Sequence, residues 1–206
     1  MKNNHTWVIC AYGESEFLEA CILSLQAQTL QSKIICYSST PLDSIKQLCQ
    51  KYGIPFYTKE GGGIGKDWNN ALSFVETSYA TIAHQDDYYE PTYLEAVMQK
   101  IEQSKDILIA YTDYFEEKNG VKIPANTNLK IKTLMLKTLN LMPASRFWRN
   151  RVLAFGNPIS CPAVTYNLEA LRDFQFDEEM RVSLDWYAWY KISAYKGRFA
   201  YISEKL

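Results

Sequence analysis

The chain has 206 residues, 47% of them hydrophobic and 22% charged, with a net charge of −1; such proportions build one sizeable core and exclude an intrinsically disordered chain. The longest apolar runs, Trp7 to Tyr12 and Ile107 to Tyr111, are far shorter than the ~18 residues that cross a bilayer, and Met1-Lys2-Asn3-Asn4-His5 lacks the charged-then-apolar pattern of a secretion signal, so a cytoplasmic protein is expected. Five cysteines, at 10, 21, 36, 49 and 161, avoid Cys-x-x-Cys spacing and read as small buried hydrophobes in a reducing compartment, not as zinc or redox ligands.

Thr6 to Ala11 is a continuous apolar run that predicts a strand buried on both faces. A helix is expected next, capped by Ser15, with Glu16 and Glu19 in its first turn and Phe17, Leu18, Cys21, Ile22 and Leu25 on one face. Ser32 to Ser38 repeats the strand pattern, and Thr40-Pro41-Leu42-Asp43 offers a cap and a first-turn proline to a second helix that Gly53 ends. Further elements are a strand at Pro55 to Thr58, the glycine cluster Gly61-Gly62-Gly63-Ile64-Gly65, a helix around Asn69 to Thr77, and a strand at Ala80 to Ala83. After the polar loop His84 to Glu90 come a helix at Pro91 to Gln103 and a strand at Asp106 to Phe115. Strands separated by helices need crossovers, so residues 1–115 predict a mostly parallel sheet with helices on both faces, whose ligands bind beyond the carboxyl ends of the strands. Past the turn signal Asn119-Gly120, the pattern predicts a helix at Leu129 to Met142, a strand at Ala163 to Tyr166, an aromatic helix at Ser183 to Tyr195 and a last strand at Phe199 to Ile202.

Charge is unevenly spread. From Lys118 to Leu168 there is no Asp or Glu, while Lys118, Lys122, Lys130, Lys132, Lys137, Arg146, Arg149 and Arg151 give +8, leaving −9 on the rest. With Leu134, Met135, Leu139 and Met142 between those cations, segment 130–151 is a candidate for peripheral contact with anionic lipid, against the plainer alternative of packing on the sheet. No nucleic-acid partner is expected.

Two phosphate-binding patterns fail on inspection. Gly65-Lys66 is followed by Asp67, and Glu60 stands where a P-loop needs its first glycine; the first strand is followed by a single glycine, Gly13, too few for a dinucleotide fingerprint. The sharper signal is His84-Gln85-Asp86-Asp87, directly after a buried strand. Two adjacent carboxylates there repel one another unless a cation compensates, and together they suit a hard divalent ion able to neutralise a diphosphate.

In order along the chain, Ala11-Tyr12, Gln26-Ala27-Gln28-Thr29-Leu30, the segment Gly61 to Leu72 with Asp67-Trp68-Asn69-Asn70-Ala71-Leu72, the acidic loop and Leu184-Asp185-Trp186 resemble the motifs of the family 2 glycosyltransferases. The resemblance implies a GT-A fold filling residues 1–206 as a single domain, with a nucleotide-binding half (1–115) and an acceptor-binding half (116–206). It implies a metal-dependent inverting transferase that moves a sugar from a nucleoside-diphosphate sugar, UDP favoured, to a glycan or lipid-linked acceptor in cell-envelope or polysaccharide synthesis. By the same resemblance Ala11 and Tyr12 meet the base, Asp86 and Asp87 hold Mg2+ or Mn2+, Asp185 is the general base, and Asn157, in the rigid loop Asn157 to Pro162, lies near the acceptor. Ser38, Lys66 and Asp67 complete the expected substrate contacts. Departures from the pattern are Ser38-Ser39 where the family often has an acid, His84 in place of the first acid of the loop, Trp68 in place of a frequent Arg, for which Lys66 is the expected substitute, and an end at Leu206 where family members continue. Two rivals are a sugar nucleotidyltransferase, which lacks here its glycine-rich, arginine-containing loop after the first strand, and a catalytically degenerate domain that serves as a binding module.

Overall fold

The computed structural model describes residues 4–118 and 120–206; Met1 to Asn3 of the predicted leaderless start and Asn119 of the predicted turn lie outside the described residues. In the first part β1 (His5–Cys10), α1 (Leu18–Gln26), β2 (Lys33–Tyr37), α2 (Asp43–Lys51), β3 (Phe56–Tyr57), α3 (Ile64–Leu72), β4 (Tyr79–His84), α4 (Tyr93–Glu102) and β5 (Ile107–Asp113) alternate as expected. A hairpin of β6 (Glu117–Lys118) and β7 (Val121–Lys122) follows, then α5 (Thr127–Leu139), α6 (Arg146–Leu153), a 3-10 turn at Cys161–Ala163, β8 (Val164–Asn167), α7 (Leu184–Ile192) and β9 (Arg198–Lys205).

Seven strands form one sheet in the order β3-β2-β1-β4-β8-β5-β9. Neighbours run parallel except at β8, which is antiparallel to both β4 and β5. Alternation along β1 shows why its run is uninterrupted: Trp7 and Ile9 pack under α1, α2 and α4 with Leu18, Ile22, Ile45 and Val97, while Val8 faces the other way with Ala71 of α3. A strand covered on both faces has no solvent side to mark with polar residues. Leu136 and Leu139 of α5, Leu153 of α6 and Trp189 of α7 cover the second face around β5, β8 and β9. The cysteines are all free, four buried and Cys10 half-buried, and no helix among the described residues is long and apolar enough to cross a membrane.

Several element ends differ from expectation for local reasons. Helix α3 starts at Ile64, capped by Gly63, so the glycines are its lead-in and not a free loop. Thr40 does not cap α2; its hydroxyl accepts the Gly13 N–H at 3.1 Å, and the helix opens two residues after Pro41. Ser15 turns its hydroxyl to the Phe17 N–H at 3.2 Å, α1 begins at Leu18, and Phe17, expected inside, is 54% exposed. The predicted helix at 129–142 is Thr127–Leu139, capped by the Asn126 side chain, which accepts the Leu129 N–H at 2.9 Å. Helix α6 was unforeseen because one of its inward positions is a charged residue, Arg149. Within segment 130–151, Leu136, Leu139 and Arg149 are buried, whereas Ile131, Leu134, Leu141, Met142 and Phe147 are exposed, so of the outward face read from the sequence Leu134 and Met142 are exposed and Leu139 is core.

Beneath β1 a chain of buried polar groups crosses the sheet. His5 Nε2 meets Thr81 Oγ1 at 2.9 Å, Thr81 meets Thr165 Oγ1 of β8 at 2.6 Å, and His5 Nδ1 meets Ser32 Oγ at 2.9 Å. Burial alone pulls the His5 pKa down to about 3 from its ordinary 6.5. The unfolded chain therefore takes up a proton near pH 6.5 that the folded chain refuses until about pH 3, so stability falls as the pH drops through that window, by about 2 kcal/mol between pH 7 and pH 5. Urea unfolding at the two pH values checks this. In His5→Asn that share of the pH dependence is expected to disappear, and an unchanged slope would rule His5 out as its source.

Candidate functional site

The carboxyl ends of β1, β2 and β4 open into a cavity of about 700 Å3 whose wall includes Ala11, Tyr12, Asp67, Trp68, Asp86 and Arg181. A second cavity of about 330 Å3 lies on the other side of the acidic loop, with Asp86, Asp87, Tyr88, Glu117, Ser160 and Pro162 in its wall. Asp86 thus stands on the partition between the two.

Tyr12 follows β1 and keeps 68% of its surface free. Its backbone is pinned by Gln85, which accepts the Tyr12 N–H at 3.1 Å and donates to the Tyr12 carbonyl at 2.8 Å. This two-bond clamp ties the end of β1 to the acidic loop and leaves the phenol ring open to a planar ligand. Ala11 is buried beside it. Ser38 is fully buried, its hydroxyl turned back to accept the Thr40 N–H at 3.1 Å, and the pocket wall is supplied by Ser39 and Thr40. Ser39 donates to Asp67 Oδ2 at 2.9 Å, so the Asp67 carboxylate is aimed across the floor of the cavity. Lys66 lies outside that wall, its stem against Gly62.

On the acidic loop, ligand atoms of His84, Asp86 and Asp87 fall within 4.8 Å of one another. His84 Nδ1 is 3.6 Å from Asp87 Oδ2, and Trp68 stacks on the imidazole with ring centres 5.5 Å apart at 26°. Trp68, where an arginine was the commoner residue, therefore packs the histidine in place. His84 Nε2 is buried with no hydrogen-bond partner among the described residues. Burial pushes the His84 pKa below its ordinary value against the opposing pull of Asp86 and Asp185. The Asp87 carboxyl is pushed up to about 6, first by burial and then by the charge of Asp86 beside it. An imidazole whose Nδ1 faces Asp87, set beside two crowded carboxylates, is a donor set that fits a divalent cation, and the oxygens suit Mg2+ or Mn2+.

The loop is held from behind by a motif read only as a resemblance. Gln28, buried between α1 and α4, donates to the Glu90 carbonyl at 2.8 Å and accepts the Leu94 N–H at 3.0 Å. The Thr29 N–H reaches the Pro91 carbonyl at 2.8 Å.

Asp185 sits in the first turn of α7. Asn157 Nδ2 donates to its Oδ2 at 2.6 Å, so these two predicted residues meet. Ser183, which precedes the helix, has φ 54° and ψ 28°, the sole left-handed residue other than glycine among those described. Such a conformation costs roughly 1 kcal/mol or more and clusters where chain direction matters for function; here it turns the chain into the helix that carries the carboxylate. Of the α7 aromatics, Trp189 is core, Trp186 donates to the Leu153 carbonyl at 2.8 Å, and Tyr187 and Tyr190 are exposed.

Three residues of the site were missed from the sequence: Gln85, Asn69 and Arg181. Asn69 of α3 accepts the Phe176 N–H at 2.9 Å and donates to the Phe176 carbonyl at 3.0 Å, docking the loop before α7 on the pocket. Arg181 in that loop donates from Nη1 to the Gly62 carbonyl at 3.0 Å.

Known proteins resemble this chain in sequence or fold. Glycosyltransferase GlyA of Streptococcus pneumoniae is 24% identical over 123 residues, 56% of this chain and 18% of its own. The crystal structure of S. aureus TarS 1–349 superposes with a TM-score of 0.74 at 19% identity, over 98% of this chain and 58% of that one. Mannosyltransferase PcManGT of Pyrobaculum calidifontis, solved with GDP-Man and Mn2+, superposes with a TM-score of 0.71 at 13% identity, over 98% of this chain and 55% of that one. The present chain thus spans little more than half the length of these structures, and the fold it shares with them is GT-A. The family model described as Glycosyl transferase family 2 matches residues 6–162, from β1 through the acidic loop to the loop of Asn157, and with that match over most of its length the chain belongs to this family.

Proposed function

We propose that the chain transfers a sugar from a nucleoside-diphosphate sugar to an acceptor hydroxyl with inversion at the anomeric carbon, with a divalent cation at His84, Asp86 and Asp87. The observation that carries this reading is the convergence of three metal-competent side chains on the acidic loop that parts two cavities at the carboxyl ends of a parallel sheet. TarS has been solved with UDP and with UDP-GlcNAc, and PcManGT with GDP-Man and Mn2+, which supports the ligand class and leaves UDP as the favoured donor nucleotide.

In this mechanism the Tyr12 ring stacks on the base, and Asp67, oriented by Ser39, accepts hydrogen bonds from the donor's hydroxyls. A cation held by His84, Asp86 and Asp87 would supply Lewis-acid stabilisation to the diphosphate that leaves. Asp185, held by Asn157, takes the proton of the acceptor hydroxyl as its oxygen bonds to the anomeric carbon and the bond from that carbon to the diphosphate oxygen breaks. The logic is that of an inverting hydrolase in which a sugar hydroxyl replaces water.

Thermal unfolding with UDP, GDP or CDP, with and without Mn2+, tests the reading. A nucleotide at a hundred times its dissociation constant adds about 2.7 kcal/mol to the native state. UDP with Mn2+ is expected to stabilise the wild-type chain, and Asp86→Asn to lose most of the Mn2+-dependent part. No stabilisation by any of the three nucleotides would refute sugar-nucleotide binding.

A further inference from the structure

The pocket wall is short of positive charge for the ligand it is proposed to take. Its carboxylates are Asp67 and Asp86, and Lys66 lies outside, so among the described lining residues Arg181 is the one lysine or arginine. A diphosphate brings about two negative charges or more. The two acids of the loop already balance the charge of any divalent ion they hold, so phosphate oxygens need a further donor.

Arg181 is delivered to this place by a built support. Asn69 clamps Phe176 with two hydrogen bonds and donates a third to Glu178 Oε1 at 3.1 Å. Asp177 Oδ1 accepts the N–H groups of Glu179 and Met180 at 3.0 and 3.2 Å, turning the chain toward the pocket. Gly65 lets the Asp177 carbonyl approach so closely that a Cβ there would lie 2.1 Å from it. Gly63, at φ 120°, makes room for the guanidinium itself, since a Cβ would lie 2.1 Å from Nη1. The side chain is exposed, so its charge is not desolvated, and its one hydrogen bond among the described residues is the Nη1 bond to Gly62.

We propose that Arg181 is a donor-binding residue whose guanidinium takes the diphosphate oxygens of the nucleotide, trading or sharing its contact with the Gly62 carbonyl. This rests on the reading of the cavity as a nucleoside-diphosphate site. It replaces the cation expected at position 68 or from Lys66 with one from the other half of the chain. Arg181 precedes Asp185 by one helical turn's worth of sequence through the left-handed Ser183, so the segment that grips the donor is the one that carries the base.

Calorimetric titration of the wild-type chain, Arg181→Ala and Arg181→Lys with UDP and with uridine, each with Mn2+, tests this. The Ala variant is expected to bind UDP ~10- to 100-fold more weakly with uridine affinity unchanged, because only charge-assisted bonds to phosphate are lost; the Lys variant should fall between. Unchanged UDP affinity in Arg181→Ala overturns the proposal and leaves the donor site standing. An equal loss for UDP and uridine also overturns it, by reducing Arg181 to a support of the loop. A wild-type chain that binds none of UDP, GDP and CDP removes the donor site and this inference together.

Discussion

Asp185→Asn is expected to bind UDP with Mn2+ as the wild type does while its transfer rate at saturating donor falls by about 10^2 to 10^4, the usual worth of general-base assistance. The substitution keeps shape and keeps an acceptor oxygen for Asn157 Nδ2, now 2.6 Å from the carboxylate, but the new amide cannot take a proton. Asn157→Ala should cost less, because it frees the carboxylate to rotate without removing its basicity. Donor affinity and turnover must therefore be measured separately: a loss confined to turnover fits a base, and retained turnover in Asp185→Asn would take Asp185 out of the chemistry.

The largest effect on stability is expected at Arg149. It is 1% exposed, has no carboxylate partner among the described residues, and spends its charge on backbone carbonyls: Nη1 donates to Pro143 at 2.8 Å and Gly197 at 2.6 Å, Nη2 to Ser193 at 2.8 Å and Tyr195 at 3.4 Å. Its guanidinium also lies 4.7 Å over the Phe199 ring. One side chain thereby closes the carboxyl end of α7, where helical carbonyls lack partners, and ties α6 to the start of β9. Arg149→Met fills much of the same volume but strands those carbonyls, and about 3 to 5 kcal/mol of unfolding free energy should be lost. Arg151→Met, two residues on and exposed, should change stability by less than about 0.5 kcal/mol. Urea denaturation of the pair decides; a loss under about 1 kcal/mol at Arg149 would mean that water or the backbone takes over its bonds.

These two sites mark what the sequence could and could not convey. The alternating strands and helices up to β5 were legible because buried parallel strands are written as apolar runs and the helices between them keep one apolar stripe. Helix α6 was hidden by Arg149, a charge that the structure turns inward, and of the apolar residues read as one outward face Leu139 is core while Leu134 and Met142 are exposed. Asp86 and Asp87 could be picked out because their neighbours in sequence are their neighbours in space. Arg181 meets Gly62 across 119 residues, Asn69 meets Phe176 across 107 and Gln85 meets Tyr12 across 73; nothing local announces such pairs, since only the sheet's crossovers bring them together. Trp68 was read as a lost cation, whereas its stacking on His84 needed the fold to be seen.

Strand β8 has a consequence for how the chain is made. It stands between β4 and β5, and β5 has no other strand neighbour but β9. On the ribosome, a nascent chain that has produced every residue of β5 therefore holds a strand that is apolar from Ile107 to Tyr111 with both edges bare, and it must wait for residues 164–167 and then 198–205 before both edges are covered. During synthesis that strand is the segment most in need of a chaperone's protection.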